Sequence, residues 1–282
     1  MTPIELFMAR FSYKPDLAGR VGVECERFIT DQQGILVPRA FEVLEMARRL
    51  DPEHKDRYVH ELSACQAEVT SDACSIDRIV NDIRQRERVI AQTLEVLGLR
   101  QAFVPVAPDD MPLDIYPDAR YTEIAGGMSE DQRRRACRVA AVHVHVGMPD
   151  PYTALCVYNE VIKHTDRLCA LGDRSNGERL RIYRKMNLGC MPQPFESWAH
   201  FFEIAREGGF AEDPKKCWTL IRISIHGTIE FRMFDTTASL EDILMWVQAC
   251  HDICHKVLAF RNALRIQNGC SPLGDNGAYA YK

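Results

Sequence analysis

The 282-residue sequence contains no C-x2-C pair, no G-x4-G-K-[ST], no G-x-G-x-x-G and no G-x-S-x-G. The missing cysteine pair removes the usual spacing of a structural zinc site. The missing glycine motifs leave a P-loop, a dinucleotide fold and a serine-hydrolase elbow without support. No stretch approaches about 18 uninterrupted apolar residues, so no membrane span is expected. Excess positive charge is absent as well: 35 Lys plus Arg stand against 40 Asp plus Glu, net -5, which gives no electrostatic footprint for coating nucleic acid. Met1-Thr2-Pro3-Ile4-Glu5-Leu6 shows no basic stretch ahead of an apolar one, so no secretory leader is expected. No repeat of about 20 to 50 residues and no Gly/Ser- or Pro-rich linker divides the chain, which predicts a single catalytic domain over residues 1–282.

What is present includes eleven cysteines. Disulfide density belongs to small secreted domains, and a chain this long builds its own apolar core, so a reducing cytoplasm is the expected compartment. Cys250-His251 and Cys254-His255 fall in an apolar-periodic stretch from Leu240 to Leu264. Spacing of i,i+4 puts the two cysteines on one helix face and the histidines on the next, which reads as packing rather than metal binding.

The order of elements mixes strands and helices without a regular βαβ beat, which predicts an α+β fold with a mostly antiparallel sheet. Val21–Ile29 reads as a strand ended by the turn Asp31-Gln32-Gln33-Gly34, and Arg39–Leu50 as a helix. Ser63–Thr70 reads as a short strand, and Ile76–Leu97 as a long amphipathic helix stopped by Gly98. Val139–Val146 alternates as a strand, and Tyr152–Leu171 carries a helical stripe. Cys217–Ile225 and Thr228–Phe234 read as a hairpin. A three-residue loop with Gly227 left-handed in a bulge places Arg222 opposite Glu230 and Ser224 opposite Thr228, keeping Ile221, Ile223 and Ile225 on the core face.

Four strands put polar side chains where one sheet face belongs: Glu24 and Glu26; Gln66, Glu68 and Thr70; His143 and His145; Glu230 and Arg232. A solvated strand face explains any one of them; four together predict a shared acidic cleft. Four carboxylates meeting there cannot all ionise without cations. Oxygen-rich donors with imidazole suit Mg²⁺ or Mn²⁺, which keep water and bridge to phosphates. The planar fork of Arg232 fits a phosphate or a carboxylate.

Four segments carry a family resemblance: Val21-Gly22-Val23-Glu24-Cys25-Glu26, Glu61-Leu62 through Gln66-Ala67-Glu68-Val69, His143-Val144-His145-Val146-Gly147, and His226-Gly227-Thr228-Ile229-Glu230-Phe231-Arg232 through Asp235-Thr236. In this order, over roughly residues 20 to 260, they resemble the bacterial carboxylate–amine ligases of the second glutamate–cysteine ligase type, relatives of glutamine synthetase. The resemblance implies a curved antiparallel sheet forming a funnel-shaped active site, with helices packed on its outer face. It implies ATP and Mg²⁺ (or Mn²⁺) as cofactors and small amino acids as partners, with a homodimer left open. In such enzymes ATP phosphorylates a glutamate-like carboxylate and an amine attacks the acyl phosphate.

By motif position, Glu26, Glu61 and Glu68 resemble the ligands of one cation, and Glu24, His145 and Glu230 those of another. Arg232 resembles the arginine that contacts the γ-phosphate, and His143 a nucleotide contact or a partner of the metal ligands. The segment Gly172–Arg184 is shorter than its counterpart in the family and lacks its Ser-Pro. Arg184 aligns with the terminal arginine there, which implies contact with the phosphates or the substrate carboxylate. Arg174, Arg179 and Arg181 read as a solvated loop or as further substrate contacts. Gly126-Gly127 and residues 174–184 are candidate closing loops. Two other readings stay open: a different phosphotransfer or hydrolysis at the same metal cluster, and a non-catalytic ATP- or amino-acid-binding protein.

Overall fold

The computed structural model describes residues 1–186 and 189–267, less the side chains of 264–266. The strands are β1 (Val21–Thr30), β2 (Tyr58–His60), β3 (Gln66–Thr70), β4 (Arg100–Ala102), β5 (Ala141–Gly147), β6 (Ile221–Ile223) and β7 (Thr228–Asp235). The helices are α1 (Pro3–Met8), α2 (Ala40–Leu50), α3 (Ile76–Leu97), α4 (Ala119–Gly126), α5 (Glu130–Cys137), α6 (Pro151–Val161), α7 (Thr165–Gly172), α8 (Glu178–Met186), α9 (Trp198–Glu207) and α10 (Leu240–Gln267). The strands form one open sheet in the order β2-β3-β1-β5-β7-β6, antiparallel at every step, with β4 beside the far end of β1. The α+β class with an antiparallel sheet is as the sequence predicts.

Alternation builds the two faces of this sheet. Val21, Val23 and Cys25 of β1, Val142, Val144 and Val146 of β5, and Ile229, Phe231 and Met233 of β7 are buried in one apolar cluster. Helices close over that face. α3 contributes Ile79 and Ile83, and α10 contributes Ile243, Trp246, Val247, Cys250 and Cys254. Trp246 stacks on Phe234 with ring centroids 5.1 Å apart. Each large side chain buried here is worth about 1.5–3 kcal/mol relative to exposure. The two cysteines of α10 are therefore packing groups, with His255 exposed and His251 half-buried beside it. α3 ends where Gly98, at φ +65°, donates its amide to the carbonyls of Leu94 and Glu95.

Four boundaries differ from the sequence reading. The stripe from Tyr152 to Leu171 is two helices joined by a 3-10 turn at Ile162–His164, where the Thr165 hydroxyl donates to the Ile162 carbonyl at 2.6 Å. The strand within 63–70 is confined to β3, and the one within 217–225 to β6. Residues 178–184, which read as part of a loop, belong to α8.

The hairpin takes the bulged form. Arg222 pairs with Glu230, Ser224 donates its amide to the Thr228 carbonyl at 2.9 Å, and Gly227 is left-handed at φ +69°. Ile225 leaves the core face and lines the cavity on the other side. Among the described residues no helix is long and apolar enough to cross a membrane.

Candidate active site

The sheet face opposite the core opens into a cavity of about 800 Å³. Its floor is set by strand register. Glu26 of β1 lies opposite Glu68 of β3, and Glu24 opposite His143 of β5. His145 lies opposite Glu230 of β7, and Glu230 opposite Arg222 of β6. Facing residues in antiparallel strands hold their side chains about 5 Å apart, so these pairings alone bring the acids and imidazoles together.

The side chains complete three groups whose donor atoms lie within 4.8 Å of one another: Glu26, Glu61 and Glu68; Glu24, His145 and Glu230; and Glu24, Glu68 and His143. Glu61 follows β2 and reaches the cavity from outside any strand. His143 Nδ1 sits 2.8 Å from Glu24 Oε2, and its Nε2 3.6 Å from Glu26 Oε1, so the ring bridges the two acids of β1. Glu26 Oε2 also accepts the Ala141 amide at 2.7 Å. His145 Nδ1 contacts the Thr228 hydroxyl at 2.8 Å. That leaves its buried Nε2 facing Glu24 Oε1 at 3.2 Å without the alignment of a hydrogen bond.

Electrostatics divide the site into two ends. Burial, then the nearby Glu61 carboxylate, pushes Glu26 up to about 7. Burial raises Glu61, and burial with Glu24, Glu61 and Glu26 raises Glu68 well above the ordinary carboxylate range. At the other end burial opposes ionisation of Glu230, but Arg222 and Arg232 outweigh it and hold the group low. Arg222 Nε donates to Glu230 Oε2 at 2.7 Å, and Arg232 Nη1 donates to Glu230 Oε1. Burial also opposes the charge on Glu24 and on His145, and their mutual attraction prevails, lowering the acid and raising the imidazole.

These residues fit divalent cations. Carboxylates that repel one another in a buried cluster, next to an imidazole nitrogen lacking an aligned partner, are a donor set whose charge a cation balances.

Arg184 departs from its expected place. It lies on the exposed face of α8, outside the cavity, and its charge bears on Cys169 and Cys190 instead. Arg179 and Tyr183, spaced i,i+4 on the inner face of that helix, line the cavity. Arg174 is tied to Asp242 at 2.8 Å and Arg181 is exposed, so neither meets the cavity. Sequence reasoning gave no role to Arg120, Tyr121, Lys215 or Lys216, which wall the cavity from α4 and the turn before β6. Nothing in their local pattern marks them, since the fold alone carries them to the mouth. Gly127 lines the cavity too.

The model of glutamate-cysteine ligase family 2 matches residues 20–267. This chain belongs to glutamate-cysteine ligase family 2. Every residue of the three groups falls inside the family match. A glutamate–cysteine ligase of Natronomonas pharaonis is 28% identical over 251 residues, covering 83% of this family member and 68% of its own length. A relative in Gloeobacter violaceus is 27% identical over 254 residues, covering 82% of this chain and 66% of its own. Among solved structures, a bifunctional glutathione synthetase from Pasteurella multocida superposes with a TM-score of 0.54 at 12% identity, over 95% of this chain and 46% of that one. That likeness is one of fold. The chain thus spans about half to two thirds of the length of the proteins it matches.

Proposed function

We propose that the chain is a carboxylate–amine ligase that uses ATP and Mg²⁺ or Mn²⁺ to join a glutamate-like carboxylate to an amine, acting as a single catalytic domain. The observation that carries this reading is the pair of acidic triads, Glu26/Glu61/Glu68 and Glu24/His145/Glu230, meeting in one cavity beside Arg232. Family membership supports it.

In the proposed reaction the γ-phosphoryl group passes from ATP to a carboxylate oxygen, releasing ADP. The amine nitrogen then attacks the acyl carbon, the bond to the phosphate oxygen breaks, and phosphate leaves, taking up the proton that the nitrogen gives up as the amide forms. The two triads would hold the cations, which when bound neutralise the charge on the transferring phosphoryl group. Arg232 offers a guanidinium fork to phosphate oxygens, steadied by Glu230 and by the Tyr183 hydroxyl 3.4 Å from its Nε. Arg222 grips the second oxygen of Glu230 and so fixes the rotamer of that acid. His143 holds Glu24 and Glu26 apart at fixed spacing rather than reaching for the nucleotide. Lys215, Lys216 and Arg120 at the mouth supply positive charge toward an incoming carboxylate. A reducing compartment suits a chain whose Cys25, Cys250 and Cys254 thiols are free and buried.

Release of ADP tests the reading. With Mg²⁺-ATP, glutamate and a pool of amines, ADP should form only when carboxylate and amine are both present. Phosphate release without an amine would replace the ligase with a hydrolase, and no release with any pair would remove the enzyme reading.

A further inference from the structure

Arg179 and Asp235 form an ion pair that the proposed chemistry does not use. Arg179 Nε donates to Asp235 Oδ1 at 2.7 Å, with side-chain exposures of 2% and 1%. The other Asp235 oxygen accepts the Arg174 amide at 2.8 Å. Arg179 Nη2 donates to the carbonyls of Arg232 and Phe234, both at 3.1 Å. A buried ion pair is often no more stabilising than an apolar pair of the same volume, so what it fixes in place is the more informative property.

The pair straddles an irregularity in β7. Val142 of β5 faces Phe234, whereas Val144 faces Phe231, so Arg232 and Met233 together oppose His143. Without the extra residue, alternation would bring Phe234 to the side occupied by Glu230 and Arg232. With it, Met233 and Phe234 are both buried in the core cluster, and Asp235 turns to the cavity side to meet Arg179. The carbonyls that Arg179 grips belong to the first bulged residue, Arg232, and to Phe234 just after the bulge. One helical turn further along α8, the Tyr183 hydroxyl contacts Arg232 Nε and donates to the Trp218 carbonyl at 3.1 Å.

We infer that Arg179 is a positioning residue: anchored by Asp235, it clamps the bulged backbone of β7 and thereby aims the Arg232 guanidinium into the acidic cavity. The inference rests on the reading of Arg232 as the phosphate-facing arginine. From the sequence, Arg179 reads as part of a solvated loop or as a substrate contact; the clamp gives that residue a different task.

The test begins with the protein free of cations and nucleotide. Arginine Nε–H resonances are recorded for the ¹⁵N-labelled chain, with Arg232 assigned through Arg232→Lys. Arg179→Lys keeps the charge but loses the fork that reaches Asp235 and two carbonyls together. In this variant, and in Asp235→Asn should the first fail to fold, the Arg232 resonance is expected to move or broaden. The resonance of the buried Arg27, from its separate pair with half-buried Glu87, should stay in place. In the ADP assay, Arg179→Lys is expected to lower kcat by about 10- to 100-fold with the KM for carboxylate nearly unchanged. The same change in an Arg232→Lys background should cost no further kcat. An unmoved Arg232 resonance, or kcat losses that multiply in the double variant, would overturn the inference. A moved resonance in a protein that releases no ADP would overturn the ligase reading and leave the clamp standing.

Discussion

Glu68 sits within Coulombic reach of three other carboxylates, Glu24, Glu26 and Glu61, and burial adds to their repulsion. In a cation-free chain the folded state keeps this group protonated at a pH where the unfolded chain would ionise it, which favours unfolding. Glu68→Gln removes that penalty while keeping the shape. At pH 8 without divalent cations the variant should melt higher, by about 2–4 °C for each kcal/mol relieved. The same change removes a proposed cation ligand, and ADP formation should fall about 10²- to 10³-fold, as expected for several kcal/mol of charge stabilisation. Thermal melts and initial rates on one preparation check both signs. Most of these residues were legible, because a period of two exposes Glu24, Glu26, Glu68, His143, His145 and Glu230 as one face. Glu61 belongs to no alternating run, and only the family resemblance pointed to it. Arg184 escapes for a related reason: the shortened segment reads as a loop, whereas as a helix it turns Arg179 and Tyr183 inward and Arg184 out.

At the scale of elements, the hairpin joining β6 to β7 sets which side chains meet Glu230. Gly227 occupies the left-handed region, and a Cβ there would stand 2.4 Å from the Ser12 carbonyl oxygen and 2.8 Å from the Tyr13 Cα. Gly227→Ala is therefore expected to cost about 1–3 kcal/mol from backbone conformation alone, with the clash in addition. The lowered melting temperature should come with weakened pairing of Arg222 to Glu230, read as a loss of Mg²⁺-ATP affinity. Equal affinity in a destabilised variant would show that the hairpin does not set the site. This turn was readable because an isoleucine alternation and a glycine constrained the loop length. The bulge in β7 was not, since Met233-Phe234 is an apolar pair compatible with either strand phase until α10 supplies Trp246 to stack on Phe234. Strands β2 and β4, three residues each, are too short for periodicity to mark. The break between α6 and α7 carries no Gly or Pro, and a side-chain hydrogen bond from Thr165 accompanies it instead.

Across the whole molecule, the acidic end of the site links stability to pH. Glu26 at about 7, with Glu61 and Glu68 also raised, means that the folded chain binds more protons than the unfolded one above the ordinary carboxylate range. Stability of the cation-free protein should then fall as pH rises from about 5.5 to 8. His145, whose imidazole is raised, acts in the same direction, because its contribution is full at low pH and lost as pH passes its folded value. Glu24 and Glu230, held low, lose their stabilising contribution only in stronger acid, outside this window. Mg²⁺ should restore more stability at pH 8 than at pH 5.5, a difference that melting curves with and without the ion will show. The sheet that builds the core with one face thus gathers on the other, from β1, β3, β5 and β7 together with Glu61, a charge cluster that calls for a counter-ion. On the proposed function, this cluster binds Mg²⁺-ATP. Calorimetric titration of Mg²⁺-ATP into the chain tests it most directly: saturable binding in the wild type that Glu68→Ala weakens at least about tenfold is the predicted result. Absence of saturable binding, or binding that Glu68→Ala leaves unchanged, would contradict it.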